Sequence, residues 1–193
     1  MKTHSYYKLY KPFGMLSQLS SGEDKQLKKK KFLSELHPFP KGSMPIGRLD
    51  EKSEGLLLMT TNGKISDIIN RSGLEKEYLV QLDGNITTDA ITILENGVAI
   101  GLFGETYMTK PCKVFLLDHE PSLPKPSPKL RIGVHRPNSW IRIILKEGKF
   151  RQIRKMTAAV GFPTVRLVRI RIGQITIETL QERDVQELKD LIP

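Results

Sequence analysis

Residues 55–71 read Gly-Leu-Leu-Leu-Met-Thr-Thr-Asn-Gly-Lys-Ile-Ser-Asp-Ile-Ile-Asn-Arg, and they join two patterns of different period. Gly55 to Thr60 is an unbroken apolar run of strand length, closed by the Asn62-Gly63 turn signal, and predicts a buried strand. Lys64 to Arg71 changes to helical spacing, with Ile65, Ile68 and Ile69 on one face. Toward the N-terminus, His4 to Tyr10 predicts a strand turned by Pro12 and Gly14, and residues 27–36 predict a short helix before Pro38 and Pro40. Met44 to Leu49 leads into a loop at Asp50. Toward the C-terminus, Glu77 to Leu82 alternates as a strand, and Thr87 or Thr88 caps a helix ending at Asn96-Gly97. Thr106 to Leu117 predicts a strand pair or one long strand, and Ser139 to Leu145 a strand. A helix of roughly Arg151 to Val160 follows, stopped by Gly161 and Pro163. Val165 to Ile172 predicts a strand with a basic face of Arg166, Arg169 and Arg171, and residues 184–191 a last helix. Hairpins and short crossovers between these elements point to an α+β fold with a mainly antiparallel, mixed sheet.

With 193 residues, the chain fits one domain with a sizeable core, and that length accommodates two sub-lobes. The longest irregular stretch, 118–138, holds Pro121, Pro124, Pro126, Pro128 and Pro137 and predicts an extended surface loop. Lys and Arg number 31 against 21 acids, a net charge of +10. A polyanionic partner follows, with nucleic acid the first candidate and an anionic membrane surface the other. No long basic segment has a strong apolar face, which disfavours the membrane. The charge is concentrated: Arg142 to Arg171 carries nine basic residues and one acid, Glu147. The run Lys28 to Lys31 fits either a phosphate grip or a solvated face. A single cysteine, Cys112, excludes an internal disulfide and a Cys-rich zinc site. Apolar runs are too short for a membrane span, and no signal core stands at the N-terminus, so a cytoplasmic location is expected.

The chemistry-bearing residues fall into three groups. His4, His37, His119 and His135 stand at no helical ligand spacing, and no phosphate-binding glycine loop or nucleophile elbow occurs. No metal or cofactor is therefore indicated, and the field narrows to carboxylate, Tyr and Arg/Lys chemistry. The first group is Gly47-Arg48-Leu49-Asp50 with Ser53-Glu54-Gly55-Leu56-Leu57-Leu58. An acid at a loop mouth before a buried strand is well held for catalysis, and it equally suits a turn cap. The second is Gly148-Lys149-Phe150-Arg151-Gln152-Ile153-Arg154-Lys155-Met156, either an anion-facing helix start or a solvated basic face. The third is Lys76-Glu77-Tyr78, where Tyr78 could stack on a base or simply pack.

In this order, together with Lys11-Pro12-Phe13-Gly14, Glu147 and Gly161-Phe162-Pro163, these pieces cover nearly the whole chain. The ordered set resembles the ribosomal RNA pseudouridine synthases of the RsuA/RluB/E/F type. The resemblance implies the catalytic domain of that family, with a central cleft flanked by helices and loops. It leaves no room for the N-terminal S4 RNA-binding domain that many members carry.

The implied reaction isomerises a specific uridine of large-subunit ribosomal RNA to pseudouridine, with no cofactor and with a flipped-out base. A catalytically silent ribosomal RNA-binding or assembly protein is the alternative. By the resemblance, Asp50 is the essential acid, Arg154 its charge partner and Tyr78 the residue packed on the target base. A nearby opposite charge lowers a carboxylate pKa by roughly 1–3 units, which favours the ionised form the reaction needs. Arg48 is expected to support the flipped nucleotide. Lys11, Lys149, Arg151, Gln152 and Lys155 are the remaining candidates for RNA contact. A monomer is expected.

Overall fold

The computed structural model describes residues 4–22, 29–130, 132 and 137–191. They divide into two compact units, Met1–Leu74 with Arg169–Pro193, and Glu75–Val168.

The first unit is built around the apolar run at 55–60. Strand β1 is Tyr6–Lys11, β2 is Met44–Ile46, β3 is Glu54–Thr60 and helix α1 is Gly63–Arg71. From the C-terminal part of the chain come the end of β9 (Thr164–Ile172), β10 (Ile175–Thr176) and β11 (Val185–Leu188). The strand order is β11-β1-β3-β9, with β2 added to β3 and β10 to β9. Every residue of β3 is buried, because both faces of the strand are covered. Alternation then sends Leu57 and Met59 into a cluster with Tyr7, Leu9, Met15 and Leu33. Leu56 and Leu58 go to the other face, with Ile46, Ile69, Ile172 and Leu191.

Asn62 does more than end the strand. Its side-chain oxygen accepts from the backbone N–H groups of Lys64 and Ile65 at 3.1 and 3.3 Å, so it is the N-cap of α1. Ile65 and Ile69 face the core, whereas Ile68 is exposed, which narrows the predicted apolar face.

The second unit carries β4 (Lys76–Asp83), α2 (Thr88–Asn96), β5 (Ala99–Leu102), β6 (Glu105–Met108), β7 (Lys113–Leu117), β8 (Asn138–Leu145) and α3 (Gln152–Ala159). Strand β8 runs antiparallel to β4 on one side and to β7 on the other. Strands β5 and β6 form a separate hairpin. Thr87 caps α2 by accepting from Ala90 N–H at 3.3 Å, and Gly97 ends it at φ +101°. A Cβ there would stand 2.3 Å from the Thr109 carbonyl oxygen, so the position requires glycine. Between β7 and β8 the described residues form no helix or strand, as the prolines predict.

The α+β class matches the pattern read from the sequence, and the pairings of β1 with β3 and β11, β2 with β3, β9 with β10, and β8 with β4 and β7 are antiparallel. Some elements differ. Residues 184–191 hold a strand, not a helix: Val185 to Leu188 extends along the edge of β1, with Tyr6 opposite Leu188 and Leu9 opposite Val185. Thr106–Leu117 is neither a pair nor one strand, since β6 pairs with β5 and β7 with β8. Of the predicted 27–36 helix, a 3-10 turn at Leu33–Glu35 is present, while residues 27 and 28 lie outside the described set. The basic strand face is also corrected. Arg166 and Arg169 are 2% and 3% exposed, and their guanidinium groups donate to the carbonyls of Pro124 and Leu56, both at 2.8 Å.

Candidate active site

In the first unit, Asp50 sits half-buried in the loop between β2 and β3. The loop is fixed by the segment that follows β1. Ser17 Oγ donates to the Leu49 carbonyl at 2.8 Å and accepts from the Leu49 N–H at 3.0 Å, a two-way clamp on the residue beside Asp50. Gly14 N–H donates to the Glu51 carbonyl at 2.8 Å on the other side. Ser53 N–H closes a turn on the Asp50 carbonyl at 3.0 Å. Gly47 enters the loop at φ +67°, where a Cβ would meet Asn70 Oδ1 at 3.3 Å. A carboxylate held by anchored backbone on both sides loses little entropy on engaging a substrate.

Beneath this loop lies an interior charge cluster. Lys11 is fully buried, and its ammonium donates to the carbonyls of Met15 (2.8 Å), Pro12 (3.0 Å) and Glu51 (3.5 Å). Burial pulls its pKa down to about 7, opposed by Glu54, Asp50 and Glu51 and reinforced by Arg169. Tyr10 donates to buried Glu54 at 3.5 Å. Expected as an RNA contact, Lys11 is instead an internal strut between β1 and the Asp50 loop. Arg48 is exposed on the loop itself. Of the Lys28–Lys31 run, Lys28 lies outside the described residues, Lys30 pairs with Glu51 at 2.9 Å, and Lys31 bridges to Met15.

In the second unit, Tyr78 is buried in β4 opposite Ile143. The helix that carries Arg154 starts at Gln152, one residue later than predicted, with Arg151 as N-cap at φ +52°. Arg154 is half-buried, and its guanidinium donates to the Thr164 carbonyl at 3.3 Å. Gln152 is buried and shapes the loop before the helix: its side-chain oxygen accepts from Lys149 N–H at 2.9 Å, and its amide donates to Glu147. Glu147 also accepts from Tyr107 Oη at 2.8 Å and Lys110 N–H at 2.9 Å. The lone acid of the basic segment thus ties α3 to β6, a role its isolation among positive charges could have signalled. Ser17 gave no such signal. Lys149 and Arg151 are exposed, while Lys155 is half-buried and donates to the Gly101 carbonyl at 2.7 Å.

Other chemistries find little support among these residues. Cys112 donates to the Leu94 carbonyl, and burial pushes its thiol up to about 11, well away from a reactive thiolate. Among the described residues, no three His, Cys, Asp or Glu side chains gather as a metal site, and no helix is long and apolar enough to cross a membrane.

Residues 5–159 match the model of the RNA pseudouridylate synthase family. The chain is 37% identical over 174 residues to the ribosomal large subunit pseudouridine synthase E of Xanthomonas axonopodis pv. citri (strain 306), covering 89% of this chain and 87% of that protein. It is 35% identical over 181 residues to the protein of the same name from Vibrio parahaemolyticus serotype O3:K6, covering 93% of this chain and 71% of that one. A crystal structure of a pseudouridylate synthase superposes with a TM-score of 0.77 at 25% identity, over 97% of this chain and 71% of that chain. The family match spans Asp50, Tyr78 and Arg154 and the elements that hold them, and the chain belongs to the RNA pseudouridylate synthase family of isomerases.

Proposed function

We propose that the protein converts a specific uridine of large-subunit ribosomal RNA to pseudouridine, in the cytoplasm, as a monomer. The observation that carries this reading is the likeness to enzymes named for that subunit over nearly nine tenths of both chains. The anchored carboxylate of Asp50 supports it.

Both units act as one catalytic domain in this proposal. The target uridine is taken out of its stack, at a cost of a few kcal/mol that phosphate contacts offset. Arg48 supports the displaced nucleotide. Asp50 acts on the sugar, either by attacking it or by removing a sugar proton, with Arg154 as its charge partner in this reading. The N1–C1′ bond breaks, the uracil turns against Tyr78, and C5 bonds to C1′. A proton leaves C5 and N1 gains one, so the formula is unchanged and no cofactor is consumed. Lys149, Arg151 and Lys155 take phosphates, while Lys11 and Gln152 hold the loops that carry the reacting and binding groups.

The test maps pseudouridine across ribosomal RNA from cells with and without the protein, then restores it with the wild type or Asp50→Asn. One large-subunit position should disappear and return only with the wild type, while Asp50→Asn still binds RNA within a few fold. Turnover by a pure Asp50→Asn protein would refute the mechanism. An unchanged map from a protein that binds ribosomal RNA would favour the silent binding protein.

A further inference from the structure

The β5–β6 hairpin breaks a local rule. Leu102 pairs with Glu105, which leaves Phe103-Gly104 as a two-residue turn at φ +52° and +90°. Asn or Gly ordinarily takes the first of these positions, because a bulky side chain at positive φ is strained. Phe103 is also 88% exposed, so burial does not compensate. What it does touch is another exposed aromatic, Phe150, stacked on it with ring centroids 6.0 Å apart and planes 27° from parallel. Phe150 is followed by Arg151, also at φ +52°. Two of the four left-handed non-glycine residues among those described therefore border one aromatic pair. A bulky residue held at positive φ in an exposed turn, and stacked only on a second exposed ring, presents an aromatic surface to an external partner.

The surroundings indicate which partner. Lys155 Nζ lies 5.2 Å from the Phe150 ring centroid, and Lys149 Nζ lies 4.8 Å from that of Tyr107. Two acids stand near: Glu147 is already engaged by Tyr107, Lys110 and Gln152, and the exposed Glu105 at the end of the turn is outnumbered by Lys149, Arg151 and Lys155, so the patch stays positive. Exposed rings beside ammonium groups match a single-stranded nucleic acid, whose bases stack while its phosphates meet lysines. A protein partner would have less use for so much positive charge.

We propose that Phe103 and Phe150 form a stacking platform for an unpaired base of the RNA substrate, a base other than the uridine being isomerised, with Lys149 and Lys155 on the adjoining phosphates. This rests on the RNA-modifying function above and adds a contact that extends along the strand.

The test measures binding of the wild type, Phe103→Ala, Phe103→Asn and Phe103→Trp to two single-stranded RNA 12-mers of equal charge, one of mixed sequence and one abasic. Base stacking on an aromatic corresponds to about 5- to 150-fold in affinity. Phe103→Ala and Phe103→Asn should lose that factor on the base-bearing strand and match the wild type on the abasic one. Phe103→Trp should keep the wild-type affinity. Asn suits the turn and should raise Tm, so loss of binding by that variant is not loss of fold. Equal binding by all four proteins, or equal loss on both strands, would overturn the platform. Modification of ribosomal RNA by the wild type, together with equal RNA binding by the wild type and the Phe103 variants, overturns the platform alone. A folded wild type that binds neither strand and modifies no RNA overturns the function itself.

Discussion

Lys11→Met probes the charge buried beneath the Asp50 loop. The folded chain releases the Lys11 proton at about pH 7, because burial opposes the ammonium more than Glu54, Asp50 and Glu51 favour it. The unfolded chain holds that proton to about pH 10.5, the ordinary lysine value. Below pH 7 both states are charged, and the cost of burying the charge is fully present. Between the two values the unfolded state carries one proton more, so stability rises with pH. The slope is about 1.4 kcal/mol per pH unit, and the full interval corresponds to about 5 kcal/mol. Methionine keeps the length of the side chain and does not titrate. It also leaves three carbonyls without this donor, a loss that does not depend on pH in this range. Urea unfolding from pH 7 to 9.5, followed by circular dichroism, should show the wild type gaining about 3 kcal/mol relative to Lys11→Met. Parallel curves for the two proteins would refute the buried, half-titrated ammonium.

Ser17→Ala removes both halves of the clamp on Leu49, and should cost about 1–3 kcal/mol in thermal or urea unfolding and lower kcat, since Asp50 loses its anchored backbone. Arg154→Ala should lose most turnover in a pseudouridine assay at neutral pH; wild-type turnover would remove it from the mechanism. Lys149→Ala should reduce the salt slope of RNA binding by about one ion, and an unchanged slope would take it off the phosphate path. Gly97→Ala forces a Cβ against the Thr109 carbonyl at a left-handed position, and should cost about 2–4 kcal/mol of stability in urea titration.

Much of the fold was legible because its strands are short-range patterns. Gly55–Thr60 announces a strand covered on both faces, and Ser139–Leu145 one that alternates. The last segment misled for a physical reason. Val185, Leu188 and Leu191 stand three apart, which suits a helix. On the observed strand, Val185 and Leu188 serve opposite faces and pack on two different clusters. Arg166 and Arg169 misled because nothing local to a strand reveals that its arginines meet carbonyls of Pro124 and Leu56, far away in sequence. The candidate residues were legible as ordered motifs. Their division of labour was not, since whether Lys11 or Gln152 faces solvent or a carbonyl depends on which loops fold over it.

The first unit draws on segments from opposite ends of the sequence, and Tyr6 pairs with Leu188. During synthesis β1 leaves the ribosome early and waits for β11 until the whole of the second unit has been made, whereas that second unit is continuous and has its partners at hand sooner. Closing so long a loop is slow. The strand that carries Lys11 beneath the Asp50 loop thus gains its outer neighbour only once β11 has been made.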